Sequence, residues 1–106
     1  MKKIEELSKD LLNGIDGMTE LFYQNKMQEG FAALNIFIGK MENLLAEIAN
    51  YQKENNQKIV AEEKLLGTVG EAFQAMQEQD SILLADLFQY DLKEQLEQIL
   101  ETCKCN

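Results

Sequence analysis

The chain has 106 residues, of which 45% are hydrophobic and 27% are charged, and its formal net charge at pH 7 is −9. This size and composition predict one soluble globular domain over residues 1–106 and exclude a disordered or fibrous chain. The negative charge repels nucleic acid and anionic membrane surfaces, so we expect neither as a partner. No segment approaches the roughly 18 apolar residues of a membrane span. No signal-peptide core follows Lys2 and Lys3, and together these features predict a cytoplasmic protein.

In the first half of the chain, apolar residues recur at steps of three and four, the spacing of one face of an α-helix. The first predicted helix covers residues 2–24, with an apolar stripe of Ile4, Leu7, Leu11, Ile15, Met18 and Phe22. The second covers residues 27–52, with a stripe of Met27, Phe31, Leu34, Ile38, Met41, Leu45 and Ile48 that is widened by Phe37, Leu44 and Tyr51. Ile36 falls off this second stripe.

The second half of the chain predicts two more helices after a polar break at Asn55 and Asn56. The third predicted helix covers residues 57–78 and is expected to bury Ile59, Leu65, Leu66, Val69, Phe73 and Met76. Asp80 suits the N-cap of the fourth, because its carboxylate can accept from unpaired backbone N–H groups. The fourth helix covers residues 81–102, and its core side consists of Ala85, Phe88, Leu92, Leu96, Ile99 and Cys103.

Short connections between these helices decide the predicted topology. Those at residues 25–26 and 79–80 are too short for a crossover, so each joins two antiparallel helices. The sequence therefore predicts an all-α fold, an antiparallel up-down-up-down four-helix bundle. Three long helices with a frayed fourth, or a domain-swapped dimer, are the alternatives. Two glycine pairs, within residues 14–17 and 67–70, are interpreted as close helix approach, a bend or simple tolerance rather than a notch for a ligand.

The fourth predicted helix carries more apolar side chains than one buried face can use. Leu83, Leu87 and Tyr90 are predicted to face outward as a C-terminal strip, which Ile36 would extend if the second helix lay alongside. We expect a second copy of the chain, or a partner's helix, to cover this strip. Asp86 is included in this candidate interaction surface. It is also the one candidate for a perturbed carboxylate, and we interpret it as partly buried and bonded to a hydroxyl or a lysine, or as solvated at the edge of the bundle.

Missing residue types exclude several chemistries. The chain has no histidine and no arginine, so it lacks the usual proton-exchanging side chain and the bidentate group for phosphates. No Ser-His-Asp, Cys-His or phosphate-loop pattern occurs. Cys103 and Cys105 would hold a soft metal such as Cu(I), or share zinc across a dimer, but incidental thiols are the favoured interpretation. We therefore expect no enzymatic activity, no cofactor and no metal.

Residues 71–92 combine an Ala/Leu-rich helix, a short acidic turn and a Leu-rich run. This segment resembles the C-terminal signature of a family of small uncharacterised all-helical proteins of Gram-positive bacteria, and the residues that match are Asp80, Leu84, Asp86, Leu87 and Tyr90. Ser81 stands where that family usually has Tyr, and Asp91 where it has Glu. The resemblance implies a helical fold and a bacterial origin, and no activity. In fold alone, the chain is similar to bundle chaperones of flagellar secretion, which bind helical segments of exported subunits.

Three functions are compatible with these observations. The first is a non-enzymatic interaction or scaffold protein that forms a homodimer. The second is a small chaperone or regulatory adaptor that binds an amphipathic helix of a partner, which predicts a groove that stays open in the purified protein. The third is a thiol-based metal carrier, for which only Cys103 and Cys105 argue.

Chelator treatment tests the metal-carrier alternative. We expect a strong chelator to leave the melting temperature of the purified protein unchanged, because a structural metal would contribute roughly 10 kcal/mol or more to folding. Thermal melts followed by circular dichroism, together with elemental analysis, make the measurement. Loss of helicity with chelator, restored only by zinc or copper, would contradict this prediction and point to the two cysteines.

Overall fold

Four helices follow one another along the chain in the computed structural model. The structure describes residues 2–58 and 62–105, and it describes residue 105 by its backbone alone. Their bounds are α1 Lys2–Tyr23, α2 Met27–Asn55, α3 Glu62–Gln77, and a C-terminal helix made of α4 Ser81–Asp86, a π-helical segment Leu87–Leu92 and α5 Lys93–Cys105. Within the described residues there is no strand. The predicted all-α four-helix bundle is confirmed.

The breaks between helices differ from the prediction mainly around the central loop. Helix α2 continues without interruption to Asn55, whereas residues 57 and 58 belong to no helix, so the predicted start of the third helix is wrong. Ile59, assigned to the core of that helix, lies outside the described residues. Asn25, Asn56 and Gln79 adopt positive φ angles of 61°, 52° and 56° at the three breaks. These left-handed residues end the preceding helices and turn the chain.

Asp80 caps α4 as the sequence predicts. Its carboxylate accepts a hydrogen bond of 3.1 Å from the backbone N–H of Leu83. This bond satisfies one of the amide groups that have no partner in the first turn of a helix. The sequence therefore predicts the start of the C-terminal helix correctly from the position of Asp80.

Helix α1 lies at the centre of the packing, along α2 on one side and along the C-terminal helix on the other. The Phe22 and Phe31 rings meet edge to face at 5.5 Å, and Lys40 pairs with Asp10 at 3.1 Å. Since the end of α1 meets the start of α2, these two helices run in opposite directions. Helix α3 packs against α4 and the π-helical segment, whereas α2 and α3 scarcely approach each other. One side of the bundle therefore stays open.

The core of α3 is not the one that the sequence predicts. Two stripes with the same helical spacing lie side by side on this helix. The small-residue stripe, which is buried, consists of Leu65, Thr68, Ala72 and Ala75. The bulky stripe, whose members are partly or largely exposed, consists of Leu66, Val69, Phe73 and Met76. Assigning Leu66 and Phe73 to the core was wrong, since they are 49% and 46% exposed. Short side chains let α3 approach the C-terminal helix closely, and that approach turns the larger ones outward.

The C-terminal strip is also corrected, because Leu87 is only 5% exposed and belongs to the core. The prediction assumed regular α-helical periodicity, but the chain forms a wider π-helical turn here. The N–H of Lys93 donates to the carbonyl of Phe88, five residues back. With this extra residue in the turn, Leu87 and Phe88 both face inward, and Leu92 continues the core.

Glycine marks close packing at Gly30, not at the two pairs noted in the sequence. A Cβ atom on Gly30 would lie 2.9 Å from Cε1 of Phe22, whose ring is fully buried. For the other five glycines no heavy atom lies within 4 Å of such a Cβ among the described residues. Close helix approach is therefore not the reason for the glycine pairs.

Two glycine substitutions in α2 are expected to act in opposite directions. Gly30→Ala should destabilise the protein by about 1–2 kcal/mol, because overpacking against Phe22 outweighs the gain in helix propensity. Gly39→Ala should stabilise it by about 0.5–1 kcal/mol, because the new methyl group meets open space. Urea denaturation of both variants beside the wild type gives the midpoints. Equal midpoints for the two variants would refute the close contact.

Candidate functional site

An apolar groove of about 140 Å³ lies on the open side of the bundle, between α2 and α3. One wall is formed by Ile38 and Leu45 of α2, and the other by Val69, Phe73 and Met76 of α3. Three of the four residues of the bulky stripe therefore line it, and Leu66 continues the same stripe one turn away. The groove is a direct consequence of the way in which α3 packs.

The floor of the groove is built from the core. Met41 and Ala72 lie below the two walls, and Phe37 and Phe88 close the base with their rings 5.4 Å apart. Phe88 comes from the π-helical segment, so the widened turn that buries Leu87 also supplies part of this floor. The floor residues are buried, and both walls of the groove lie on helices rather than on a loop.

The size of the groove indicates what it can receive. Sites for small molecules and cofactors usually measure about 300–1,000 Å³. A cavity of about 150 Å³ with apolar walls holds a single benzene ring. A groove of about 140 Å³ therefore suits one or two large side chains of a peptide or protein better than a whole cofactor.

Charge is almost absent from the groove. Glu42 is the single charged residue that lines it, and no lysine of the described residues does so. Beyond the lining residues, the amide of Gln52 in α2 donates a hydrogen bond to the carboxylate of Glu62 in α3. The arrangement offers an apolar surface with one carboxylate and contains no nucleophile or acid–base pair.

The structure separates the residues of the predicted C-terminal strip. Leu83 and Tyr90 are exposed, Tyr90 by 65%, but the buried Leu87 no longer joins them. Ile36 is also 65% exposed, yet α2 does not pack closely along the C-terminal helix, so the described contacts do not extend the strip to it. The prediction of a surplus apolar surface was right for Leu83, Tyr90 and Ile36 as single residues and missed the groove. The signal for the groove was the pair of parallel stripes on α3.

Asp86 is exposed rather than partly buried, and it accepts a hydrogen bond of 2.6 Å from the Tyr23 hydroxyl. Its interpretation as a carboxylate bonded to a hydroxyl is thereby confirmed. Thr19 donates to Gln89 at 3.0 Å in the next turn, and Lys93 pairs with Asp16 at 3.5 Å beyond it. These three contacts form a polar seam that joins α1 to the C-terminal helix.

The cysteines give no support to a reactive site. Cys103 is buried in the core, and this burial raises the pKa of its thiol, which disfavours the reactive thiolate. The side chain of Cys105 lies outside the described residues, so the metal-carrier alternative, which needs both thiols, stays untested. Among the residues that the structure describes, no group of three or more Cys, Asp or Glu side chains could hold a metal.

Comparison with known proteins identifies the family of this chain. Residues 1–102 match the family described as Domain of unknown function (DUF8042). The chain belongs to this family. No curated protein and no solved structure matches it. None of the described helices has the length and apolar composition that crossing a membrane would require. The description of DUF8042 names no activity, so the groove and its surroundings are the basis for a functional proposal.

The polar seam predicts a pH dependence. The hydrogen bond to Asp86, with smaller contributions from burial and from nearby charge, raises the pKa of Tyr23 to about 12 from the ordinary value of 10.0. The stability that this bond contributes is therefore complete below about pH 10 and is lost as the pH rises towards 12. We expect the last step of a tyrosinate absorbance titration to disappear in Tyr23→Phe and to move to lower pH in Asp86→Asn. An unchanged titration in both variants would contradict the bond.

Proposed function

We propose that this member of DUF8042 is a non-enzymatic interaction protein that binds an amphipathic helix of a partner in the α2–α3 groove, as a small chaperone or regulatory adaptor does. The observation that carries the proposal is the outward placement of the bulky stripe. Phe73, a large aromatic residue, is left nearly half exposed beside an apolar groove. Aromatic residues at such places commonly dominate the affinity of protein interfaces.

A helix is the ligand shape that best fits this surface. The groove runs between two helices, and the wall from Ile38 to Leu45 is about 10 Å long at 1.5 Å per residue, or about two helical turns. Apolar residues at positions i, i+3 or i+4 and i+7 of a partner helix would reach along that length. Each buried side chain contributes roughly 1.5–3 kcal/mol before the cost of association.

Self-association is the second candidate function, and the exposed apolar side chains of the C-terminal helix favour it. Ile82, Leu83 and Tyr90 are all exposed there, between 42% and 65%. A homodimer that buried them would be the scaffold expected from the sequence. Without Leu87, however, this surface is less continuous than the groove, so we place the binding function in the groove. A bacterial, cytoplasmic setting and the analogy to secretion chaperones are part of this proposal and rest on the sequence alone.

A matched pair of variants tests the groove against the C-terminal helix. The probe is a labelled, designed amphipathic peptide of about 18 residues, long enough to form a helix, with equal numbers of Lys and Glu on its polar face. We expect Phe73→Glu to weaken binding at least about tenfold, or 1.4 kcal/mol, because it places a charge in the apolar groove. Tyr90→Glu should leave the affinity unchanged. Fluorescence anisotropy gives the dissociation constants.

Light scattering and circular dichroism on the same samples serve as controls. Both variants should keep the helicity of the wild type, and Phe73→Ser replaces Phe73→Glu if the latter unfolds. Undetectable peptide binding by the wild type would refute the proposed function. Suppose that Tyr90→Glu halves the mass in solution relative to the wild type and that Phe73→Glu still binds the peptide. The interaction surface would then be the C-terminal helix and not the groove.

A further inference from the structure

Resting on the proposed function, the geometry points to a more specific ligand: an amphipathic helix that carries a basic side chain, Lys or Arg, next to its apolar face and opposite Glu42. The groove would then recognise its partner by two features together, an apolar ridge and one positive charge. The argument rests on the place of Glu42, on the lysines of the bundle and on the charge of the whole chain.

Glu42 stands in the middle of the groove wall. It lies one turn after Ile38 and one turn before Leu45 on α2, and all three line the groove. Among the described residues it has no hydrogen bond and no ion pair. A helix seated on Ile38 and Leu45 must therefore pass this carboxylate. A basic side chain one turn from the central apolar residue of that helix would meet it.

The chain itself supplies no cation at this place. Lys40, the nearest lysine in sequence, is turned to the opposite side of α2, where it pairs with Asp10 at 3.1 Å. Lys58 pairs with Glu63, and Lys93 pairs with Asp16 on the far side of α1. In the part of the chain that the structure describes, no lysine of α3 or of the C-terminal helix lines the groove. Glu42 is exposed to solvent, and a positive charge beside it would come from another molecule.

The same charges argue against a second copy as the occupant. A copy of this chain carries a net charge of −9, and a two-fold axis at the groove would bring Glu42 close to its own symmetry mate. Like charges across an interface are unfavourable, particularly next to apolar surface where solvent screening is weak. A cationic helix gains from both the local carboxylate and the long-range field of the protein.

Two peptides of identical apolar face test this inference. Each is a designed amphipathic helix of about 18 residues, with either Lys or Glu at the positions that flank the apolar face, and binding is measured by fluorescence anisotropy at low ionic strength. We expect the Lys peptide to bind roughly threefold to tenfold more tightly. Glu42→Gln should reduce this preference, and Glu42→Lys should reduce it further, although the remaining negative charge of the chain still favours the Lys peptide. Glu47→Gln, a change of equal charge on the side of α2 that faces α1, is the matched control and should leave the local preference in place.

The outcomes separate this inference from the proposed function. Tight binding of both peptides without preference, or a preference that Glu42→Gln leaves intact, would overturn the role of Glu42 while the groove remains a binding site. Binding of neither peptide would refute the proposed function itself. A concentration-dependent dimer that Phe73→Glu abolishes would identify a second copy as the occupant and overturn the inference. Loss of the preference at high ionic strength, with Glu42→Lys reducing it more than Glu42→Gln does at low ionic strength, would support it.

Discussion

The packing of α3 through its short side chains is the interaction on which the open side of the bundle and its groove depend. Thr68, Ala72 and Ala75 let this helix lie close to the C-terminal helix, and the Thr68 hydroxyl accepts a hydrogen bond of 2.7 Å from Gln95 in α5. Burying the larger neighbours instead would have gained more transfer free energy, by roughly 25 cal/mol for each Å² of apolar surface. The observed arrangement leaves Phe73 in contact with water, and it is this arrangement that opens the groove towards α2.

The π-helical segment contributes directly to the groove, because its residue Phe88 forms part of the groove floor. A regular helix over residues 81–105 would place Leu87 outside, whereas the wider turn takes both Leu87 and Phe88 into the interior. Phe88 then reaches Phe37 of α2 beneath the groove, although the two helices do not pack closely along their backbones. π-Helical turns often occur at functional sites. Here the turn contributes Phe88 to the floor of the candidate binding surface.

Polar contacts between side chains join α1 to the C-terminal helix, away from the groove. Tyr23 and Asp86, with Thr19 and Gln89 one turn away, fasten α1 to the C-terminal helix and leave the groove untouched. Most of the acidic charge lies on solvated faces, where it supports solubility. Glu42 is exposed as well, but it differs from the other acidic residues because it lines the apolar groove. An interaction protein that selects its ligand by charge needs little more than one such carboxylate beside an apolar groove.

The sequence by itself determined the helical class, the Asp80 cap and the buried face of α1, because each follows from local spacing or from one residue type. On α2 it placed Ile38 and Leu45 in the core stripe, whereas they form a wall of the groove. It also determined the lack of histidine and arginine, which limits the available chemistry. Only the tertiary structure decided which of the two stripes on α3 is buried and where the helix widens around Leu87. Both choices depend on how closely whole helices approach, and two stripes of equal periodicity look alike until a neighbouring helix selects one of them.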